Sequence, residues 1–215
     1  MGIPVMIIGK SGAGKSTSLR NFSEDELYLI KVLGKPLPFR KQFNSTLQTD
    51  DYQSILKALI KARKKAIVID DAGYLITNHF MKNHASVGGG NAVFGLYNEI
   101  GDKFWSLVDY VSNKLPEDKI VYFIMHEDKD DMGEVKPKTI GKLLDEKVCL
   151  EGMFTVVLRC MGDSEKHYFR TKTMGSDVTK TPMGMFEDEE IDNDLKQVDE
   201  IIRNYYGLNK TKEEE

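Results

Sequence analysis

The sequence predicts an α/β fold, a mostly parallel central sheet flanked by helices with an antiparallel hairpin near the C-terminal end. Two observations point to this class. Short apolar runs of strand length alternate with longer stretches whose apolar residues recur at helical spacing, which implies parallel crossovers. Late in the chain, two β-rich runs flank a Gly162-Asp163-Ser164 turn, which adds antiparallel strands at one edge.

In chain order, residues Ile3 to Ile8 read as a buried strand and Leu27 to Leu33 as a second. Tyr52, Ile55, Leu56, Leu59 and Ile60 form the apolar stripe of a helix over Tyr52 to Lys64, with Thr49, Asp50 and Asp51 offering N-caps. Ala66 to Ile69 is a short apolar run closed by two aspartates, Asp70 and Asp71. Helical spacing returns from Val93 to Val111, and Lys119 to His126 is another strand with a polar residue at its end. After the hairpin, Ile191, Leu195, Val198, Ile202 and Tyr205 mark a last helix, which Gly207 would cap. Residues 1–207 are expected to form one domain, followed by a disordered acidic tail over 208–215 that is too polar to pack. Lys82 to Asn91, Glu127 to Lys138 and the tail are the stretches expected to be mobile.

The chain has 215 residues, enough for one well-buried domain. Apolar residues make up 40% and charged residues 30%, the balance of a soluble globular protein. No apolar run approaches the ~20 residues of a spanning helix, and the N-terminus lacks signal-peptide features, so a cytoplasmic protein without membrane contact is expected. Cys149 and Cys160 are the two cysteines, and neither belongs to a CxxC or Cys/His cluster, so ordinary burial is expected rather than a disulfide or zinc site. Net charge is −4, but residues 187–215 hold eleven acids against four bases, leaving the body mildly basic. Such a body suits an anionic ligand without demanding nucleic acid.

"GKSGAGKS", Gly9 to Ser16, fits G-x-x-x-x-G-K-[ST] and sits between a strand and a helix. Side chains here would hold a polyphosphate away from the backbone. Gly9, Gly12, Ala13 and Gly14 instead leave amide N–H groups free to converge on it, and the next helix presents its positive end. Lys10 and Ser11 complete the loop and Thr17 follows it. Lys15 supplies a mobile cation for the β- and γ-phosphates, and Ser16 a hydroxyl for magnesium. "AIVIDD" carries Asp70 to the carboxyl edge of the sheet as the second metal support. Asp71 is either within reach of an attacking water or the N-cap of the residues that follow. His126, at the end of the next central strand, is placed to sense the γ-phosphate.

The order of these motifs, with "GKPLPF" (Gly34 to Phe39) and "KTPMGMF" (Lys180 to Phe186), resembles P-loop NTPases of RecA-like type. It is similar in particular to bacteriophage nucleotide-binding proteins of the AAA type with recombinase-like cores, some of which anneal single strands. The resemblance, over about residues 3 to 186, implies ATP with Mg2+ at Lys15, Ser16, Thr17 and Asp70, and a sensor at His126. It also implies single-stranded DNA as partner, a homo-oligomer, and a DNA-binding loop after His126. Residues 126–147 hold five lysines against seven acids, so the Gly-rich 82–91 loop is an alternative contact. Recombinases place a catalytic glutamate after the second strand, where "KVLGKPLPF" has no acid. Either Asp71 positions the water, or the protein switches on binding alone. Lys136, Lys138, Arg159 and Arg170 are candidates for a cation reaching a neighbouring subunit. The competing functions are a non-catalytic switch for a protein partner and a small-molecule kinase. Six scattered arginines without a lid cluster count against the kinase.

Overall fold

In the computed structural model, the described residues are 1–88, 90–140, 144, 148–163 and 165–209. Strand β1 (Ile3–Gly9) lies at the centre of the sheet, buried on both faces, as its unbroken apolar run requires. Its neighbours are β5 (Ile120–Lys129) and β7 (Val156–Gly162), both parallel to it. Beyond β5 come β4 (Ala66–Asp70), β2 (Leu27–Lys31) and the edge strand β3 (Ser45–Gln48), again all parallel. On the other side, β8 (His167–Arg170) and β9 (Glu190–Asp192) continue antiparallel from β7, giving the expected hairpin and one further strand. The path across the sheet is β3-β2-β4-β5-β1-β7-β8-β9.

The pleat sends alternate residues of β1 to opposite cores. Met6 and Ile8 face a layer built from α1 (Tyr52–Lys61), α2 (Gly73–Asn83) and α3 (Asn91–Lys114). Val5 and Ile7 face α4 (Leu195–Tyr205) and a 3-10 helix over Ser16–Asn21. Each fully buried Ile, Leu, Val or Phe in these layers contributes about 1.5–3 kcal/mol. The long middle helix α3 alone inserts Ile100, Phe104, Leu107, Val108 and Val111, all fully buried, which explains its amphipathic period.

Local chemistry sets the ends of the elements. Asp51 caps α1 by accepting the Ser54 N–H at 2.8 Å. Asp194 caps α4 by accepting from Lys196 and Gln197. At the other end of α4, Gly207 adopts φ 67°, its N–H donates to Asn204 O and the next N–H, from Leu208, to Arg203 O. These two bonds satisfy carbonyls that the helix leaves open. Leu208 is half-buried against the core, and residues 210–215 of the expected tail lie outside the described residues.

Several expectations are corrected. Strands β3 and β9 carry too few apolar residues to show a strand pattern, because each lies at or near a sheet margin. Ile191 belongs to β9, not to the last helix. The stretch 127–138 is a hairpin: β5 runs on to Lys129 and pairs with β6 (Val135–Pro137). A turn at Asp130 closes it, the carboxylate accepting the N–H groups of Met132 and Glu134. In the 82–91 stretch, Lys82 and Asn83 already belong to α2, Asn91 opens α3, and Gly89 lies outside the described residues. Cys160 is buried as expected, whereas Cys149 is exposed.

Candidate functional site

Strand order decides where the polar strand ends meet. Because β5 is inserted between β1 and β4, the carboxyl ends of all three lie side by side. Gly9, the first residue of the loop, is the register partner of His126. Asp70 closes β4 and Asp71 follows it. Residues far apart in sequence are thereby gathered at one edge of the sheet, where open α/β folds bind ligands.

The 9–17 loop is shaped by close packing on one side. A Cβ at Gly9 would lie 2.5 Å from the Cys160 carbonyl oxygen of β7, so no side chain fits there. Gly14 adopts φ 98°, a left-handed conformation that glycine tolerates, and a Cβ there would lie 3.0 Å from the His167 ring. The loop is also tied from behind. The Cys160 thiol donates to Ala13 O at 3.0 Å, and Asn193 Nδ2 donates to that sulfur at 3.3 Å. Burial pushes the Cys160 thiol up to about 12, so it remains a protonated donor. Arg20 in turn donates to Asn193 O at 2.5 Å, which joins the 3-10 helix to the segment after β9. Lys10, Ser11 and Gly12 remain exposed on the open side, and Ser16 and Thr17 are half-buried. The helix after the loop is a six-residue 3-10 segment rather than a long α-helix. Its dipole is correspondingly small, which leaves attraction for an anion mainly to the loop amides and to lysine.

Lys15 is buried, with 6% exposure, and its ammonium donates to Gly9 O and Lys10 O, both at 2.7 Å. Its own loop carbonyls therefore hold the cation inside the cradle. Burial lowers its pKa, partly offset by the field of Asp71 and Asp70. Ser16 Oγ donates to Asp70 Oδ1 at 2.9 Å, a bond that spans 54 positions of sequence. Burial, reinforced by neighbouring Asp71, raises Asp70 to about 6, and the Ser16 hydroxyl works against that rise.

Asp71 has φ 60°, strained for a residue with a side chain, and its carboxylate is buried. It does not cap α2, whose N-terminus has no side-chain cap. The carboxylate instead meets Lys35 Nζ at 2.6 Å and faces His126 Nε2 at 3.8 Å. His126 lies edge-on to Tyr74, ring centres 5.9 Å apart. Burial, followed by the positive field of Lys15, lowers the His126 pKa, so the ring is neutral at pH 7.

Hard oxygen donors suit magnesium, and Ser16 Oγ with Asp70 Oδ1 form such a pair, the acid buried and the serine half-buried. Among the described residues no cluster of three or more His, Cys, Asp or Glu could cage a metal by itself.

Three features were hidden in the sequence. Lys35 is one, because its partner is 36 positions away and reaches it through the β2–β4 pairing. Cys160 and Asn193 are the others, since their partners belong to elements that meet only in the folded sheet. The hairpin cations are also reassigned. Arg159 is locked on Glu127 at 2.8 and 3.0 Å with Asp177 at 3.4 Å, and Arg170 is buried, so neither is free to reach another subunit. Lys138 remains exposed, 3.3 Å from Asp128. The cleft beside the β5–β6 hairpin is lined by Asp128, Asp130 and Asp131 together with Lys129 and Lys136, a mixed surface with a small excess of acid.

Among the described residues, no helix is long and apolar enough to cross a membrane. Among curated proteins, none matches the sequence. The ATPase DotB of Legionella pneumophila is among the similar solved structures, at 8% identity and a TM-score of 0.32, covering 74% of this chain and 41% of DotB. The chain thus spans about two fifths of DotB's length. Residues 1–183 match the AAA domain family, so the chain belongs to that family of P-loop ATPase domains.

Proposed function

We propose that this protein is a magnesium-dependent ATPase of phage DNA recombination that acts on single-stranded DNA as an oligomer. The observation that carries the nucleotide part is the Ser16–Asp70 bond, which joins the end of the glycine loop to the strand bearing both acids. The amides of Gly12, Gly14 and Lys15 receive the phosphates, while Ala13 N–H already donates to Lys10 O at 3.2 Å. Lys15 exchanges its loop carbonyls for β- and γ-phosphate oxygens. Ser16 and Asp70 hold the magnesium, which when bound supplies positive charge to the phosphates. Water attacks the γ-phosphorus, the bond to the β,γ-bridging oxygen breaks, and ADP leaves with that electron pair. Asp71 takes the proton of the water, and neutral His126 lies beside it to orient the terminal phosphate. Phosphoryl transfer needs this kind of positioning more than covalent help.

Support for a single-stranded polymer comes from a different surface than expected. From Leu27 to Thr49 the chain carries Lys31, Lys35, Arg40 and Lys41 and no acid. Half-buried Phe39 and buried Phe43 pack edge-on within it, ring centres 6.4 Å apart, beside a cleft of 770 Å³ whose lining carries Lys31, Arg40 and Lys41 against Glu24. Cationic grooves with aromatics are the usual platform for unpaired bases. The acidic 127–138 hairpin is unsuited to that role.

A binding-only switch is the second reading, favoured by one observation: Lys35 occupies the carboxylate that hydrolysis needs. Measuring ATP turnover with and without single-stranded DNA, and with added nucleoside monophosphates, decides among the readings. DNA-stimulated release of phosphate is expected. Tight binding without turnover in any condition would establish the switch, and transfer to a monophosphate would establish a kinase.

A further inference from the structure

Lys35 lies in the loop that leaves β2 at the ligand edge of the sheet, and this loop is anchored on both sides of it. Val32 N–H donates to Asp70 O, and further along Lys41 donates to Arg20 O and Phe22 O. Leu37 and Phe39 pack against the core beneath the 3-10 helix. Pro36 follows Lys35 directly and restricts it to extended backbone, which limits where its stem can start. The stem is half-exposed, with 52% side-chain exposure, while the acid it reaches is 4% exposed. A flexible cation therefore enters from solvent to neutralise a buried carboxylate beside the phosphate cradle.

A triphosphate in that cradle would direct its terminal oxygens toward the ends of β4 and β5, where Asp71 stands. Two anions then face one another in a poorly hydrated corner, a strongly unfavourable arrangement unless a cation lies between them. Lys35 is already at that point. A diphosphate, one group shorter, brings no charge there and leaves the Lys35–Asp71 pair as it is.

On the reading of the loop given above, we propose that Lys35 is the cation that the γ-phosphate engages, supplied within the same chain. It transfers from Asp71, wholly or in part, when a triphosphate binds. The site thereby distinguishes triphosphate from diphosphate through a lysine of its own chain.

The test is equilibrium binding of ADP and of a non-hydrolysable ATP analogue, each with magnesium, to the full chain. Wild type, Lys35→Gln and Lys35→Arg are compared. Lys35→Gln is expected to weaken the analogue by about tenfold or more, the scale of a charge-assisted contact, while ADP affinity stays the same. Lys35→Arg restores most of the difference. Should Lys35→Gln fold poorly because Asp71 is left unpaired, the double variant Lys35→Gln, Asp71→Asn removes that charge and gives the same comparison against Asp71→Asn. Equal weakening of both nucleotides, or of neither, overturns the assignment and leaves Lys35 as a support for Asp71. Failure of the wild type to bind either nucleotide removes the loop reading itself, and this assignment with it.

Discussion

Two buried charge clusters in this protein have different bonding patterns. Under α4, Asp199 accepts from Arg203 Nε at 2.6 Å, from Arg203 Nη2 at 3.2 Å and from the Tyr122 hydroxyl at 2.8 Å. Arg203 uses its remaining reach on Asp118 O at 2.9 Å. Every strong group there has a fixed partner, and the phenol of Tyr122 is held protonated, first by burial and then by Asp199. At the ligand edge of the sheet, by contrast, two adjacent acids are served by a hydroxyl and one mobile lysine, and a second lysine is parked on loop carbonyls. The backbone is strained at Asp71. A closed network locks packing in place. A cluster whose cations are held by replaceable partners has the kind of charge arrangement that the proposed nucleotide site requires.

The largest effect expected from this contrast is on stability. Asp199→Ala should destabilise the fold by about 3–5 kcal/mol, because it leaves a buried guanidinium unpaired. Denaturant unfolding would measure it; a change below the noise would mean that the cluster is not closed. Lys15→Ala should have the opposite profile. Loss of a charged contact to the phosphates weakens ATP binding by about a hundredfold, while the melting temperature barely moves. Unchanged affinity would remove Lys15 from the site. Asp71→Asn is expected to slow hydrolysis by about a hundredfold, the lower end of proton-transfer contributions, with ATP affinity retained. An undiminished rate would exclude Asp71 as the proton acceptor. The smallest effect belongs to a helix end remote from both clusters: Asp194→Ala should cost about 1 kcal/mol of stability through the lost cap on α4. A loss several times larger would show that this cap also supports neighbouring Asn193 and the loop behind it.

Much of this fold is legible in the residues because long apolar runs have one economical use. Ile3 to Ile8 and Lys119 to His126 can satisfy their bulk only in the middle of a sheet, and there they lie. The glycine loop is legible for a similar reason, since a Cβ at Gly9 would lie 2.5 Å from a neighbouring carbonyl oxygen and no side chain fits there. Strands β3, β6 and β9 were not legible. They are three or four residues long, partly exposed, and held by pairing with a partner that their own sequence does not specify. Asp71 shows the same limit within the site. Its sequence suited a cap or a base equally well, and only the loop carrying Lys35 turned the carboxylate away from capping.

The chain by itself determined which groups are offered to a ligand: bare amides, a lysine and a hydroxyl at 9–17, and acids after a buried strand. That information is local, because steric permissiveness and apolar periodicity act over a few bonds. Only the tertiary structure decided what those groups face. The insertion of β5 between β1 and β4, the thiol of Cys160 behind the loop and Lys35 on Asp71 all depend on strand order. Strand order follows from the packing of the whole chain, so no single stretch of the sequence specifies these contacts.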